Sequence, residues 1–165
     1  MSDLGRRDFL SRAWKAGMLL IGGAGAWTSW DVLRSRADTG LGGVVRAASA
    51  EEVPTESTIY IRAAQTYLTK QDEEVVALWQ RCPHLGCRVA WCESAGEFEC
   101  PCHGSRFNRL GEHRSGPAPS GMQQFSATVV DGDVEVDTGE VSAGPPLGVE
   151  TIDEPKRGPS CSEGA

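Results

Sequence analysis

Two short boxes constrain this chain more than anything else in it: Cys82-Pro83-His84-Leu85-Gly86-Cys87 and Cys100-Pro101-Cys102-His103-Gly104-Ser105. Each offers a cysteine and a histidine spaced so that one tight loop can turn both toward a common centre, and fifteen residues separate His84 from Cys100. Soft thiolates suit iron–sulfur chemistry, and imidazole serves iron as well as zinc. Four such ligands alone are compatible with a Cys2His2 zinc site. Two further cysteines, Cys87 and Cys102, stand beside the ligands, and a zinc module has no use for them.

The rest of the chain reads as a frame for those loops. At 165 residues, 39% hydrophobic and 24% charged, it holds one modest domain plus tails and no second core. Twenty glycines and nine prolines favour turns and short strands, so the expected class is all-β. Strands are expected at 58–61, 66–68, 75–79 and 88–91, and a hairpin joins 125–130 to 133–137 through Asp131-Gly132.

Charge divides the chain. Residues 1–46 carry seven Lys/Arg against four Asp, a balance of +3, which leaves −10 of the total −7 to the body. An acidic body excludes nucleic acid, which demands a basic surface. It suits a partner with a basic face, or serves solubility alone.

The N-terminus carries the marks of export and anchoring. Leu4-Gly5-Arg6-Arg7-Asp8-Phe9-Leu10 resembles a twin-arginine signal, and an apolar stretch from Ala16 to Trp30 follows. Counted from Leu10 to Leu33, with Arg12 and Lys15 snorkelling and Trp14, Trp27 and Trp30 near the ends, the segment is expected to be a retained membrane helix. Ala48-Ser49-Ala50 has the pattern of a cleavage site but lies too far downstream. Residues 1–33 are thus read as signal and anchor, 34–57 as a flexible glycine-rich tether and 139–165 as a loose tail.

The two boxes resemble those of the Rieske family, in the disulfide-bearing branch found in quinol-oxidising cytochrome bc and bf complexes, and the resemblance covers residues 58–138. It implies stacked antiparallel sheets with a cluster-binding subdomain and one 2Fe-2S cluster, in which two histidines replace two cysteines on one iron. Carried over by position, Cys82 and Cys100 bind the buried iron, His84 and His103 bind the outer iron, and Cys87 and Cys102 form a disulfide. The resemblance also makes Ser105 a hydrogen-bond donor to a cluster sulfide and Gly116-Pro117-Ala118-Pro119 a supporting third loop. Leu85, Gly104, Phe107 and Pro117 complete the tuning shell. Pro83 stands where Thr is frequent, and Phe107 where bc-type members carry a Tyr that donates to a ligand thiolate.

Other residues carry plainer expectations. His113 is read as an exposed loop histidine, Cys92 as a small buried thiol, Cys161 as a free or mispaired thiol in the tail, and Trp79 and Trp91 as core.

The resemblance implies one-electron transfer on the outer side of the cell membrane by a single-pass subunit that is no complete enzyme alone. Quinol gives the electron, with its proton accepted at His84 or His103, and a c-type cytochrome or similar acceptor takes it. A cytochrome b partner supplies most of the quinone pocket. The main alternative is the electron-transfer subunit of an exported oxidase such as arsenite oxidase; a soluble ferredoxin and a zinc module rank behind it.

Overall fold

The computed structural model describes residues 5–33 and 41–162. Leu4, residues 34–40 of the expected tether and the terminal Gly164-Ala165 lie outside them. Two compact units divide the chain near residue 36. The first is one helix, α1 (Arg6–Leu33), 28 residues long.

A helix forms over the segment expected to span a membrane, but among the described residues no helix is long and apolar enough to cross one. Gly17, Gly22, Gly23, Gly25, Thr28, Ser29 and Asp31 dilute its apolar surface.

The second unit is all-β. Six antiparallel strands form the larger sheet: β1 (Val44–Ser49), β2 (Ile59–Ile61), β3 (Thr66–Gln71), β4 (Glu74–Trp79), β9 (Gln124–Val130) and β10 (Asp133–Ser142), in the order β1-β10-β9-β4-β3-β2. A smaller sheet runs β5 (Ala90–Cys92), β6 (Glu97–Glu99), β7 (Arg106–Phe107) and β8 (His113–Ser115) in sequence order. It is a meander between β4 and β9, and both boxes lie within or before it. The expected Asp131-Gly132 hairpin is present, and both turn residues have positive φ, 52° and 87°, as the tight turn demands.

Alternation explains the larger sheet. In β10 the side chains of Val134, Val136 and Thr138 are buried while their neighbours are half-buried. Burying a valine contributes about 1.5–3 kcal/mol, so the register of β10 is firmly set. Val134 and Val136 join Leu68, Ala77 and Phe125 in one core. A second core lies under the boxes and contains Tyr67, Leu78, Val89, Phe98, Phe107 and Met122 together with Cys82 and Cys100.

Two expectations about the segments that flank the domain fail. Val44–Ser49, placed in the flexible tether, pairs with β10 from Val44 opposite Asp137 to Ser49 opposite Asp133. The flanking glycines hid the strand, and an open edge of β10 supplies the partners that make it fold. Thr138 fastens its start: its hydroxyl donates to the Gly43 carbonyl (2.8 Å) and accepts from the Gly42 amide (3.0 Å).

The C-terminal segment, expected as a loose tail, is tied across the domain. Residues 139–142 continue β10. Arg109, buried, grips Glu154 at 2.8 Å, Thr151 donates to the buried Glu112, and the Ser162 amide donates to Glu99 at 2.9 Å. Cys161 is neither free nor mispaired, because it forms a second disulfide with Cys92. Polar tail residues complete the partners of buried charges in the body, and this order is not visible in hydropathy.

Candidate metal centre

The two boxes fold as near-copies of one loop. In the first, the Cys82 amide donates to the Cys87 carbonyl (2.8 Å) and the Gly86 amide to the Cys82 carbonyl (2.9 Å). In the second, the Cys100 amide donates to the Ser105 carbonyl (2.9 Å) and the Gly104 amide to the Cys100 carbonyl (3.0 Å). Gly86 and Gly104 occupy the same place in each loop with φ of 80° and 73°, a conformation that side chains rarely adopt. Each box therefore closes on itself through its backbone, and its side chains are left to point at the other box.

The side chains meet across the gap. Cys82 and Cys100 are free thiols, each 2% exposed. The rings of His84 and His103 stand edge to face, 4.8 Å apart between centroids. Cys87 and Cys102 form the disulfide that the resemblance implied, and their sulfurs lie within 4.8 Å of the Cys100 sulfur. Above them the surface is open, since His103 is exposed and Leu85 is 70% exposed.

The third loop closes the site from the side. Ser105 is fully buried; its Oγ accepts from the Ala118 amide at 3.2 Å and its hydroxyl reaches the Cys82 sulfur. Gly116 makes this approach possible. A Cβ there would lie 2.5 Å from the Ser105 Cα and 2.8 Å from its nitrogen, and φ is 93°. Pro117 is exposed beside it, and Ala118 is packed with Cys82 and Cys100.

The remaining candidates are accounted for. Phe107 is fully buried in the core that contains both free cysteines. His113 is not in a loop: it lies in β8, half-buried, with its ring 5.9 Å from Phe107 and its Nε2 3.1 Å from the Gly116 carbonyl. Trp79 and Trp91 are half-buried and pack on the two cores. The Ala118 amide and the close approach at Gly116 were not singled out from sequence, although the Gly-Pro-Ala-Pro run that carries them was.

The residues fit a metal centre. His84 Nδ1 is buried and has no hydrogen-bond partner, an arrangement that costs about 1–3 kcal/mol unless something binds the nitrogen. Burial pushes the Cys82 thiol up, and the neighbouring Cys100 sulfur adds to the shift, against the His84 amide and the Ser105 hydroxyl. The buried Cys82 thiol resists ionisation until a cation joins it, and metal ligation is what reverses that preference. Two soft thiols and two imidazoles form the donor set of an iron–sulfur centre of mixed ligation.

Known proteins agree. A profile of the Rieske [2Fe-2S] domain matches residues 43–126. The cytochrome b6-f complex iron-sulfur subunit 2 of Synechocystis sp. is 30% identical over 148 residues, which cover 79% of this chain and 82% of that protein. The cytochrome b6-f complex iron-sulfur subunit 3 of Nostoc sp. is 30% identical over 149 residues, 80% of this chain and 84% of that one. The plasma membrane Rieske protein of Synechocystis, a crystal structure, aligns at TM-score 0.42 and 24% identity over 56% of this chain and 97% of its own. With the profile spanning half of the sequence and two relatives aligned over most of theirs, the chain belongs to the Rieske [2Fe-2S] domain family and binds a 2Fe-2S cluster.

Proposed function

We infer that the protein is the electron-transfer subunit of a quinol-oxidising complex of the cytochrome bc or b6-f type. Cys82, Cys100, His84 and His103 would hold the cluster, with His84 offering its buried Nδ1. The observation that carries this reading is the pairing of a buried His84 Nδ1 with an open tip, where His103 and Leu85 face solvent. When bound, the cluster supplies a one-electron acceptor.

The chain's own residues supply the rest. Each histidine keeps a second ring nitrogen, Nε2, for solvent or a quinol hydroxyl, so His84 or His103 accepts the proton as the electron leaves the quinol. Leu85 offers an apolar contact at the same tip for a membrane-bound partner, a cytochrome b subunit. Ser105 and the Ala118 amide hold the second box in place beneath them. A c-type cytochrome or similar carrier takes the electron onward.

Location follows from the same features. Disulfides persist in oxidising compartments, and Arg6-Arg7 at the start of α1 supports export of the folded domain, with α1 associating with the membrane on whose outer side the domain works. Cell fractionation checks this, and a purely cytoplasmic pool would refute it. The alternative of a subunit docked on an exported oxidase draws support from the pairing of β1 with β10, which takes residues 44–49 out of the expected tether and into the sheet.

A redox titration of the purified protein across pH tests the central reading. The midpoint potential should fall as pH rises, approaching about 59 mV per unit for one proton per electron. A potential flat into the alkaline range would remove the solvent-facing histidines from the mechanism.

A further inference from the structure

The acidic body predicts a basic partner, yet its arginines are not evenly neutralised. Seven arginines lie beyond residue 46. Four of them meet carboxylates: Arg106 and Arg114 at Glu97, Arg109 at Glu154, and Arg157 at Glu154. The other three, Arg62, Arg81 and Arg88, are exposed and have no carboxylate partner among the described residues. These three converge on one place.

That place adjoins the metal centre. Arg81 and Arg88 flank the first box and sit opposite each other in an isolated antiparallel bridge. The Arg81 guanidinium lies over Trp79, 5.3 Å from the ring centroid, and a Cβ on Gly86 would touch its Nε at 2.9 Å. Arg88 lies over Tyr60 at 4.9 Å and beside the hydroxyl of Tyr67. A cavity of about 280 Å³ is lined by Tyr60, Arg62, Gln65, Gln80 and Arg88, and Arg81 lines a neighbouring one that shares Gln65, Gln80 and Arg88. Its floor is fixed by a polar chain in which the Tyr60 hydroxyl donates to Gln80 (2.8 Å) and the Gln80 amide to Gln65 (3.1 Å).

We propose that Arg62, Arg81 and Arg88 form the docking surface for the acidic face of the one-electron acceptor, which binds against the flank of the first box. An arginine stacked on an aromatic ring uses its π-face and keeps its in-plane N–H donors for a carboxylate. Holding three unneutralised arginines together costs the free domain self-repulsion, and a partner's carboxylates relieve it. The surface also sits where docking is useful, because Arg88 directly follows Cys87, whose disulfide leads to Cys102 beside His103. One electron then passes from the reduced centre to the carrier, and no bond is made or broken. Local charge at the docking patch, and not the net charge, sets the salt dependence of such an encounter.

The proposal rests on the electron-transfer reading above, so the test separates the two. Stopped-flow oxidation of the reduced holoprotein is followed with two probes, an acidic plastocyanin and a basic soluble cytochrome c, from low to high salt. Binding of the acidic plastocyanin is measured in parallel by calorimetry, which needs no cluster. The wild-type rate with the acidic probe should fall about tenfold as salt rises, within the range that steering supplies. Arg62→Gln/Arg81→Gln/Arg88→Gln should lose about tenfold at low salt together with most of that dependence, with the visible spectrum and potential unchanged. Arg62→Glu alone, which lies outside the box, should lose about threefold.

Variants that match the wild type with the acidic probe would overturn the proposal, as would a wild type that prefers the basic one. Binding to phosphatidylglycerol vesicles through the same arginines, without a preference for the acidic carrier, would overturn it in favour of a lipid surface. If the protein carries no redox-active centre but still binds the acidic probe through these arginines, the electron-transfer reading fails and the docking surface stands.

Discussion

Removing the second disulfide should cost this domain more than removing the one at the metal centre. Cys92 and Cys161 are 69 residues apart in sequence, against 15 for Cys87 and Cys102. Loop-closure entropy gives about 4.4 kcal/mol for the longer link and about 3 kcal/mol for the shorter one. For a domain of this size about 1 kcal/mol corresponds to about 4 °C, so Cys92→Ala/Cys161→Ala should lower Tm by about 18 °C in oxidising buffer. The contacts of Glu154, Thr151 and Ser162 remain in the variant, so the native tail need not detach for the loss to appear. Calorimetry of the holoprotein gives Tm, and the visible spectrum should be unaltered because neither cysteine is a ligand. A Tm within about 3 °C of wild type would refute the reasoning, since the strap would then owe its order to ion pairs and hydrogen bonds alone.

Two further expectations concern the centre itself. Phe107→Tyr places a hydroxyl in the core that holds Cys82 and Cys100. One net hydrogen bond of about 0.5–1.5 kcal/mol to a ligand sulfur should raise the midpoint potential by about 20–65 mV, read by voltammetry, and no shift with an intact cluster would mean that the ring does not face it. Gly116→Ala puts a methyl 2.5 Å from the Ser105 Cα, where only backbone could yield, so the third loop should be forced off the second box. Absorbance per protein should then show most of the cluster lost on purification; full occupancy would show that the loop is not a support.

The sequence made the boxes legible because their chemistry is local: a cysteine, a histidine and a glycine within six residues define a loop whatever surrounds it. Longer strands such as β3, β4 and β9 were legible from β-branched and aromatic runs, and the Asp131-Gly132 turn from its own residues. The smaller sheet was legible only at its first strand, where the expected 88–91 overlaps β5. In β6, Glu97-Phe98-Glu99 reads as a polar stretch, yet all three residues are buried because Arg106 and Arg114 flank Glu97 and the tail caps Glu99. Burial there pushes the Glu99 carboxyl up, but the Ser160 hydroxyl, the Ser162 amide and Arg106 outweigh it and hold it below the usual range. β7 is two residues long and leaves no period to detect. β1 and Cys161 share another cause: each finds its partner far along the chain, and a one-dimensional pattern carries no trace of that pairing.

The crowding of sulfur at the tip also fixes an order of assembly. All six cysteines lie in one domain, and the finished protein needs four of them oxidised and two left as thiols. The Cys100 sulfur lies within 4.8 Å of both sulfurs of the neighbouring bridge, close enough for a thiolate to attack it and scramble the pairing. Iron held by Cys82 and Cys100 would act as a protecting group, withdrawing the two nucleophiles before an oxidant arrives. Assembly in the order metal first and disulfides second avoids that scrambling.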